Sequence, residues 1–447
     1  MFENKKIFIF GMAKSGYEAA KLLSKYNNEI VITDGKEQDK AHVEELESLG
    51  VKVIITENQI ELLDETYDYM IKNPGIPANN KVVLKAKELG IKIINEIEMA
   101  YHFLPDNIKI IGITGSNGKT TTTTMIYEVL KKKYNNVYLG GNIGYPLSSI
   151  VNDIKENSIL VMEISDHQLC DMYEFKTDIS LLLNLVHAHI DFHGDYEIYK
   201  AMKKRIFNNH TKGDIAILNK DDSEVLELTN DIVSEKKYFS KNDKTNSYIK
   251  DNWIYYNNEA VVNLSDIKLK GMHNYENIMA MIMAVKEFDI ENEIIKDYLN
   301  SFGGVEHRIE YVKTINGVDY YNDSKSTNNE ATITALNTFT NPTILIMGGL
   351  DRNIPFDSLK EHLTNIKEVI CYGQTKEKIY DFMTNNNIKC IKLNNLEEAT
   401  KKAYEDAING DTVLLSPACA SWDQFKTFEE RGNLFKKIVN ELGDKNE

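Results

Sequence analysis

A chain of 447 residues exceeds one ordinary hydrophobic core, and about 150 residues per domain predicts roughly three domains. Its 42% hydrophobic and 27% charged residues suit a globular protein in water, and its longest apolar run, "ISLLLNLV", is too short to cross a bilayer. A net charge of −16 excludes nucleic acid as a default partner but leaves room for small anions in local pockets of backbone N–H, Lys and Arg.

"KKIFIFG" (residues 5–11) reads as a strand, followed by a helical pattern from Ser15 with apolar Ala19, Leu22 and Leu23. "EIVITD" is a second strand ending at Asp34, giving a βαβ start of the Rossmann kind. "YDYMIKNPGIP" runs from a strand into a Pro/Gly loop, and this first domain is assigned residues 1–98. The second, 99–303, opens with the strand "IKIIGIT", a glycine loop and a helix through Val129 and Leu130. "SILVMEIS", "DISLLLNL" and "GDIAILNKDD" supply buried strands, residues 242–258 loops or short antiparallel strands, and "LKGMHNYENIMAMIMAV" a helix. In the third, 304–447, "VDYYNDS", "PTILIMGG", "EVICYG", "IKCIKL" and "DTVLLSPA" are strands, and a final helix is predicted from about Asp423 to Leu442. The fold class is α/β in three domains: Rossmann-like, central P-loop ATPase-like, and again Rossmann-like. Cys170, Cys371, Cys390 and Cys419 are scattered, without zinc or disulfide spacing, and suit a reducing cytoplasm.

"GITGSNGKTTT" (112–122) is the clearest chemical signal. A strand, then Gly115, Ser116, Asn117, Gly118, Lys119, Thr120 and Thr121, then a helix, forms an anion cradle. Lys119 reaches β/γ-phosphate oxygens and the Thr120 hydroxyl binds Mg²⁺. The strict pattern needs glycine at 113, where Ile113 stands. "GGNIG" (140–144) is a weaker glycine loop, serving equally as a plain turn. Glu163 ends a buried strand, where a carboxylate suits Mg²⁺ or simply closes the strand. "NLVHAHIDFHG" carries His187, His189, Asp191 and His193. Zinc spacing lacks a further ligand cluster there, so a hard Mg²⁺ site with one histidine fits better. From its residues alone, Lys203 in "YKAMKKRIF" reads as a surface lysine. Arg308 in "HRIEY" is either a γ-phosphate contact or a surface ion pair. "NDSKSTN", "GGLDRN" and "SPACASWDQF" place Lys325, Arg352 and Ser421 after three strands of one α/β unit, the edge where such sheets bind ligands.

With "TGSNGKTT", "NPGIP", "GNIG", "NDSKSTN", "GGLDR" and "LLSPACASWDQFKTFEERG" in hand, the whole chain resembles the Mur ligase family of ATP-dependent amide-forming enzymes. The last segment is the sharpest mark of its D-glutamate-adding member. The resemblance implies that Lys14, Ser15, Gly16, Asp34, Lys36, Asn73, Pro74, Gly75, Asn142 and Ser165 bind a UDP-sugar. It assigns Asn274 and Asn277 to the adenine side, and Arg308, Asp323 and Lys325 to ATP from the third domain. Thr120, Glu163, His189 and Lys203 would hold metal, with Lys203 carbamylated and two Mg²⁺ ions present. Lys325, Thr327, Arg352, Ser421 and Phe428 would take D-glutamate. Lys119, His189, Lys203, Arg308 and Lys325 would be catalytic. The chain departs from the family's pattern at Asp166 and His167, which replace a serine and an aromatic and add a potential ligand, and at Gly35, Ala188 and Arg352.

The implied reaction phosphorylates the alanine carboxylate of UDP-N-acetylmuramoyl-L-alanine and then lets the amine of D-glutamate displace phosphate, in a cytoplasmic monomer making peptidoglycan precursors. Hinges are expected near 95–104 and 303–306. Three alternatives stand beside this. A sibling ligase would add another amino acid, and a switch would bind ATP without ligating. A dinucleotide oxidoreductase would need the middle glycine that "GMAKSG" lacks.

Overall fold

Apolar runs ending in glycine or a polar residue become strands, and the amphipathic stretches between them become helices. The computed structural model describes residues 1–186, 190–352 and 355–444. The chain forms two compact units, Met1–Asn300 and the residues from Ser301 onward.

The first unit holds two sheets. One comprises β1 (Lys6–Phe10), β2 (Glu29–Asp34), β3 (Lys52–Ile55), β4 (Tyr69–Lys72) and β5 (Lys92–Ile94). Its order is β3-β2-β1-β4-β5, all parallel. Ile7, Phe8 and Ile9 are wholly buried, because helices cover both faces of a parallel sheet. The order reverses between β1 and β4, opening a crevice beyond their carboxyl ends.

The other contains β6 (Lys109–Thr114), β7 (Val137–Gly141), β8 (Ile159–Glu163), β9 (Ile179–Leu182), β10 (Ile215–Asn219), β11 (Glu235–Ser240), β12 (Ser247–Lys250), β13 (Trp253–Tyr256) and β14 (Glu259–Asn263). They run in the order β14-β13-β12-β11-β10-β9-β6-β8-β7. β12, β13 and β14 pair antiparallel, as the polar stretch suggested, and the rest is parallel. β6 lies between β8 and β9, so the loop after it opens at another reversal of strand order.

The two sheets share one apolar core, in which Ile7, Ile32 and Ile97 pack with Leu147, Leu160 and Met162. Two residues of the segment 95–104, Asn95 and Glu98, are bonded to the residues around Gln168 and Glu174. Asn95 caps the helix Glu96–Tyr101 through Glu98 N–H and donates its amide to the Gln168 carbonyl. Glu98 accepts the N–H groups of Glu174 and Phe175 at 2.7 and 3.0 Å, and the buried Lys72 pairs with Asp171 at 3.0 Å.

The second unit has one sheet of β15 (Glu310–Ile315), β16 (Val318–Asn322), β17 (Thr343–Gly348), β18 (Ile366–Tyr372), β19 (Cys390–Lys392) and β20 (Thr412–Leu415). The order is β15-β16-β20-β17-β18-β19, parallel except for β15. The final helix spans Phe428–Asp444, five residues later than expected at its start. Residues Ser421–Phe425 close turns on the Ser421 carbonyl. Thr427 Oγ1 then accepts Glu430 N–H at 3.3 Å while Glu430 returns to Lys426 N–H at 2.9 Å, a cap that fixes the start. Among the described residues no helix is long and apolar enough to cross a membrane.

Candidate active site

The glycine loop leaves β6 and enters the helix Lys119–Lys131, as its pattern required. Gly118 holds φ at +81°, and a Cβ there would lie 2.2 Å from Asn277 Oδ1. Backbone conformation and crowding therefore both demand glycine. Asn184, at the end of the run that forms β9, braces the loop. Its Oδ1 accepts Asn117 N–H at 2.8 Å, its Nδ2 donates to the Asn117 carbonyl at 3.1 Å, and its carbonyl accepts Ser116 N–H at 3.0 Å. Ser116 Oγ also bonds Tyr199 Oη at 2.6 Å. Lys119 Nζ donates to the carbonyls of Gly115 and Ser116, each at 2.8 Å, which holds the ammonium across the cradle. Thr120 is buried and Thr121 half-buried on the first turn. Asn277 abuts the loop, whereas Asn274 Nδ2 donates to the Lys270 carbonyl at 2.8 Å.

Glu163 ends β8 with Ile113 of β6 as its register partner, which brings the carboxylate beside the cradle. It is 1% exposed. Asn142 Nδ2 donates to its Oε1 at 2.6 Å, whereas Oε2 has no hydrogen-bond partner among the described residues. A buried carboxylate oxygen without a donor is expensive unless a cation completes it. The residues present therefore fit a hard divalent ion. His187, Ala188 and His189 lie outside the described residues, and so does Asn353.

Lys203 is wholly buried, not a surface lysine. It shares one helix face with Tyr199, whose ring centroid lies 5.0 Å from its ammonium. Lys203 Nζ pairs with Asp166 Oδ1 at 3.1 Å. The other oxygen of Asp166 meets His193 Nε2 at 2.8 Å and His167 Nδ1 at 3.1 Å. Burial pushes the Asp166 carboxyl upward, but the His167 bond, the Lys203 charge and the His193 bond outweigh it and hold the group far below the usual range. Burial pushes the Lys203 ammonium downward, against the pull of Asp166 and Glu163. Both Asp166 oxygens are thus engaged, so the ligand expected from this departure is occupied with neighbouring side chains. Ser165 caps the short helix Asp166–Leu169 in a reciprocal bond pair with Gln168.

At the crevice of the first sheet, Lys14, Ser15 and Gly16 open the helix Lys14–Leu23. A Cβ on Gly16 would lie 2.0 Å from the Gly11 carbonyl, so only glycine lets the helix pack this close. Asn73 Nδ2 donates to Ser15 Oγ at 3.3 Å, and Asn73 Oδ1 accepts Gly75 N–H at 3.0 Å, which fixes the turn around Pro74. Asp34 accepts the N–H groups of Met12 and Lys36, at 2.9 and 3.0 Å, so it shapes the loop. Lys14 Nζ reaches the Gly144 carbonyl at 3.3 Å and lies over the exposed Tyr145 ring.

In the second unit, the three polar clusters follow β16, β17 and β20, which are neighbours in the sheet. Thr327, Leu350, Arg352, Phe356, Ala418 and Cys419 line one small cleft. Arg352 lies 4.8 Å from the exposed Trp422 ring, Lys325 lies 5.8 Å from the Phe428 ring, and Ser421 is buried. Asp323 is buried too, accepting Ile309 N–H at 3.2 Å and Ser416 Oγ at 2.7 Å. Burial lifts its carboxyl to about 6, against bonds from Ser326, Ser416 and Ile309 and the charge of Arg308. Arg308 is exposed between His307 (φ +62°) and Ile309 (φ +45°), a strained turn that aims it outward. Sequence reasoning missed Asn184, Tyr199 and Arg431. The last occupies an inner position of the apolar stripe Phe428, Phe435, Ile438 and Val439, and an arginine interrupting such a stripe is a signal in itself.

Three family models match the chain: the "Mur ligase MurD-like, N-terminal domain" over residues 5–95, the "Mur ligase middle domain" over 113–285, and the "Mur ligase, glutamate ligase domain" over 307–419. The chain is 43% identical over 445 residues to the UDP-N-acetylmuramoylalanine–D-glutamate ligase of Bacillus cereus (strain G9842), covering 99% of this chain and 98% of that protein. The ligase of the same name from Geobacillus kaustophilus (strain HTA426) is also 43% identical, over 446 residues, with the same coverage. Among solved structures, the UDP-N-acetylmuramate-alanine ligase MurC of Thermotoga maritima superposes with a TM-score of 0.56 at 17% identity, over 98% of this chain and 99% of that one. The MurF ligase of Thermotoga maritima in complex with ADP gives 0.55 at 18%, over 98% and 96%. At such identities these two speak for the α/β fold alone.

Proposed function

This chain belongs to the Mur ligase family, and from that premise we propose that it uses ATP to join D-glutamate to UDP-N-acetylmuramoyl-L-alanine, a step of peptidoglycan precursor synthesis. The observation that carries the chemistry is the phosphate cradle beside a buried carboxylate, Glu163, that has one oxygen unpartnered among the described residues. Residues 1–98 would take the nucleotide sugar through Lys14, Ser15, Asn73 and Asn142, residues 99–303 the ATP, and residues 304–447 the amino acid.

A carboxylate is a poor electrophile, so the γ-phosphoryl group passes to the substrate's alanine carboxylate and makes an acyl phosphate. The D-glutamate amine attacks its carbonyl carbon, a tetrahedral intermediate forms, and phosphate leaves as the amide bond closes. Positioning and charge neutralisation carry such a transfer. The loop N–H groups and Lys119 steady the phosphates, and Arg308 and Lys325 add positive charge as it develops. Arg352 grips one carboxylate of D-glutamate with its fork, and Thr327 and Ser421 offer hydroxyls to the other. Thr120, Glu163, His189 and Lys203 would hold Mg²⁺, two ions in this reading, which offset repulsion between ATP and an anionic acceptor. Lys203 would serve as its carbamate. Burial that disfavours the ammonium supports CO₂ uptake by the amine, and a ¹³C-bicarbonate NMR signal lost in K203R would test it. The enzyme would act as a cytoplasmic monomer.

The deciding experiment measures phosphate release from Mg²⁺-ATP with UDP-N-acetylmuramoyl-L-alanine and each candidate amino acid, with mass spectrometry of the product. Release that requires both substrates and favours D-glutamate is expected. Equal turnover with another amino acid would make the chain a sibling ligase, and ATP binding without turnover a switch.

A further inference from the structure

We propose that Arg431 is a positioning residue that sets the spacing of the amino-acid pocket; this rests on the D-glutamate reading above. Arg431 is wholly buried in the first turn of the helix Phe428–Asp444. Its Nε donates to Ser324 Oγ at 2.9 Å and its Nη2 to the Ser324 carbonyl at 2.8 Å. Its Nη1 donates to the Cys419 carbonyl at 3.0 Å and is 3.4 Å from the Gly348 carbonyl. Ser324 Oγ in turn donates to the Phe428 carbonyl at 2.8 Å.

These acceptors sit one on each of the three ligand loops. Ser324 follows β16, Gly348 ends β17 and Cys419 follows β20. The same loops carry Lys325 and Thr327, Arg352, and Ser421, while Phe428 begins the helix of Arg431 itself. One guanidinium therefore ties together every element that supplies a D-glutamate group.

Packing does not account for an arginine here. Among the described residues no carboxylate lies within ion-pair distance of it, and burying a cation on carbonyls and a hydroxyl is costly where an apolar side chain would fill the stripe more easily. The planar fork of five N–H donors explains the choice, because it reaches three loops at once. Lysine keeps the charge but radiates its donors from a single atom.

The test compares the full-length parent, R431K and S324A by steady-state kinetics, varying each substrate in turn. Misplaced binding groups predict a rise of about tenfold or more in KM for D-glutamate in R431K, with kcat and the KM values for ATP and UDP-N-acetylmuramoyl-L-alanine within about threefold. S324A, which removes the Nε acceptor, shifts the same constant less. An unchanged D-glutamate KM in folded R431K overturns the proposal, as does a parallel rise of all three KM values, which marks general loosening. Should R431K not fold, S324A decides: a selective rise in KM supports the proposal and an unchanged KM overturns it. The parent is first assayed against several amino acids. If it prefers another, the D-glutamate reading fails, and the Arg431 test proceeds with the preferred one.

Discussion

Asp166→Ala removes the acceptor of a lysine that has no access to water. In the CO₂-free protein, where Lys203 carries its ammonium and not the carbamate, the lysine is 0% and Asp166 2% exposed, and they lie 3.1 Å apart. Deleting one partner of a buried pair destabilises by about 3–5 kcal/mol. The loss has a ceiling, because Lys203 can shed its proton. Neutralising a lysine of ordinary pKa at pH 7.5 costs about 4 kcal/mol, and at pH 9 about 2 kcal/mol, at 1.36 kcal/mol per pH unit. The sign follows from proton counting. The folded variant holds Lys203 neutral while the unfolded chain keeps it protonated up to its ordinary pKa, so the unfolded state binds more protons and stability rises with pH. Burial already lowers the Lys203 pKa in the parent, but Asp166 opposes it, so the parent's slope is shallower. Calorimetry of the first unit's transition should show D166A melting lower by about 10 °C at pH 7.5, and by about half of that at pH 9. The double variant D166A/K203M, which removes the stranded charge, should recover most of the loss. A D166A protein within about 1 kcal/mol of the parent at pH 7.5, or a double variant no better than the single, would refute the buried-pair reasoning.

Gly118→Ala should weaken ATP binding at least about tenfold by calorimetric titration, since both the left-handed φ and the 2.2 Å approach to Asn277 forbid a Cβ; a parent-like affinity would show that the loop yields. Glu163→Gln should lower kcat by about a hundredfold while metal-free ADP binding stays within about twofold, because only the cation loses its ligand; Mn²⁺ titration followed by electron paramagnetic resonance reads the metal directly. In the second unit, Asp323 has a folded pKa raised to about 6, so the folded state binds more protons than the unfolded between pH 4 and 6. Stability through this group falls by about 3 kcal/mol as pH rises across that window, and a D323N melting profile should be flatter there than the parent's.

Features that depend on local order along the chain were legible. The glycine loop had to lie between a strand and a helix, Glu163 had to close a buried run, and three polar clusters had to share one sheet edge because each followed a strand of the same unit. Features that depend on long-range pairing were not. Lys203 read as a solvated lysine because its partner, Asp166, lies 37 residues away on another element. Asn184 gave no hint of holding a loop 67 residues earlier. The late start of the last helix was written in "TFEE", but a cap of that kind is outweighed by apolar periodicity when both are read together. Arg431 was visible as an interruption of a stripe, and only the fold shows what it interrupts the stripe for.

The strand order of the second unit has a consequence for how the protein is made. β20, residues Thr412–Leu415, lies between β16 and β17, though it begins 64 residues after β17 ends at Gly348. While the ribosome works through that interval, β16 and β17 cannot pair with each other, and each keeps an open edge. In the first sheet the central strand, β1, is translated first, so later strands add outward onto a finished seam. A nascent or truncated chain ending before Thr412 therefore carries an intact first unit and a second unit with two bare edges, the kind of surface on which strands of other chains dock. Synthesis of a few residues near the carboxyl terminus is what seals the sheet.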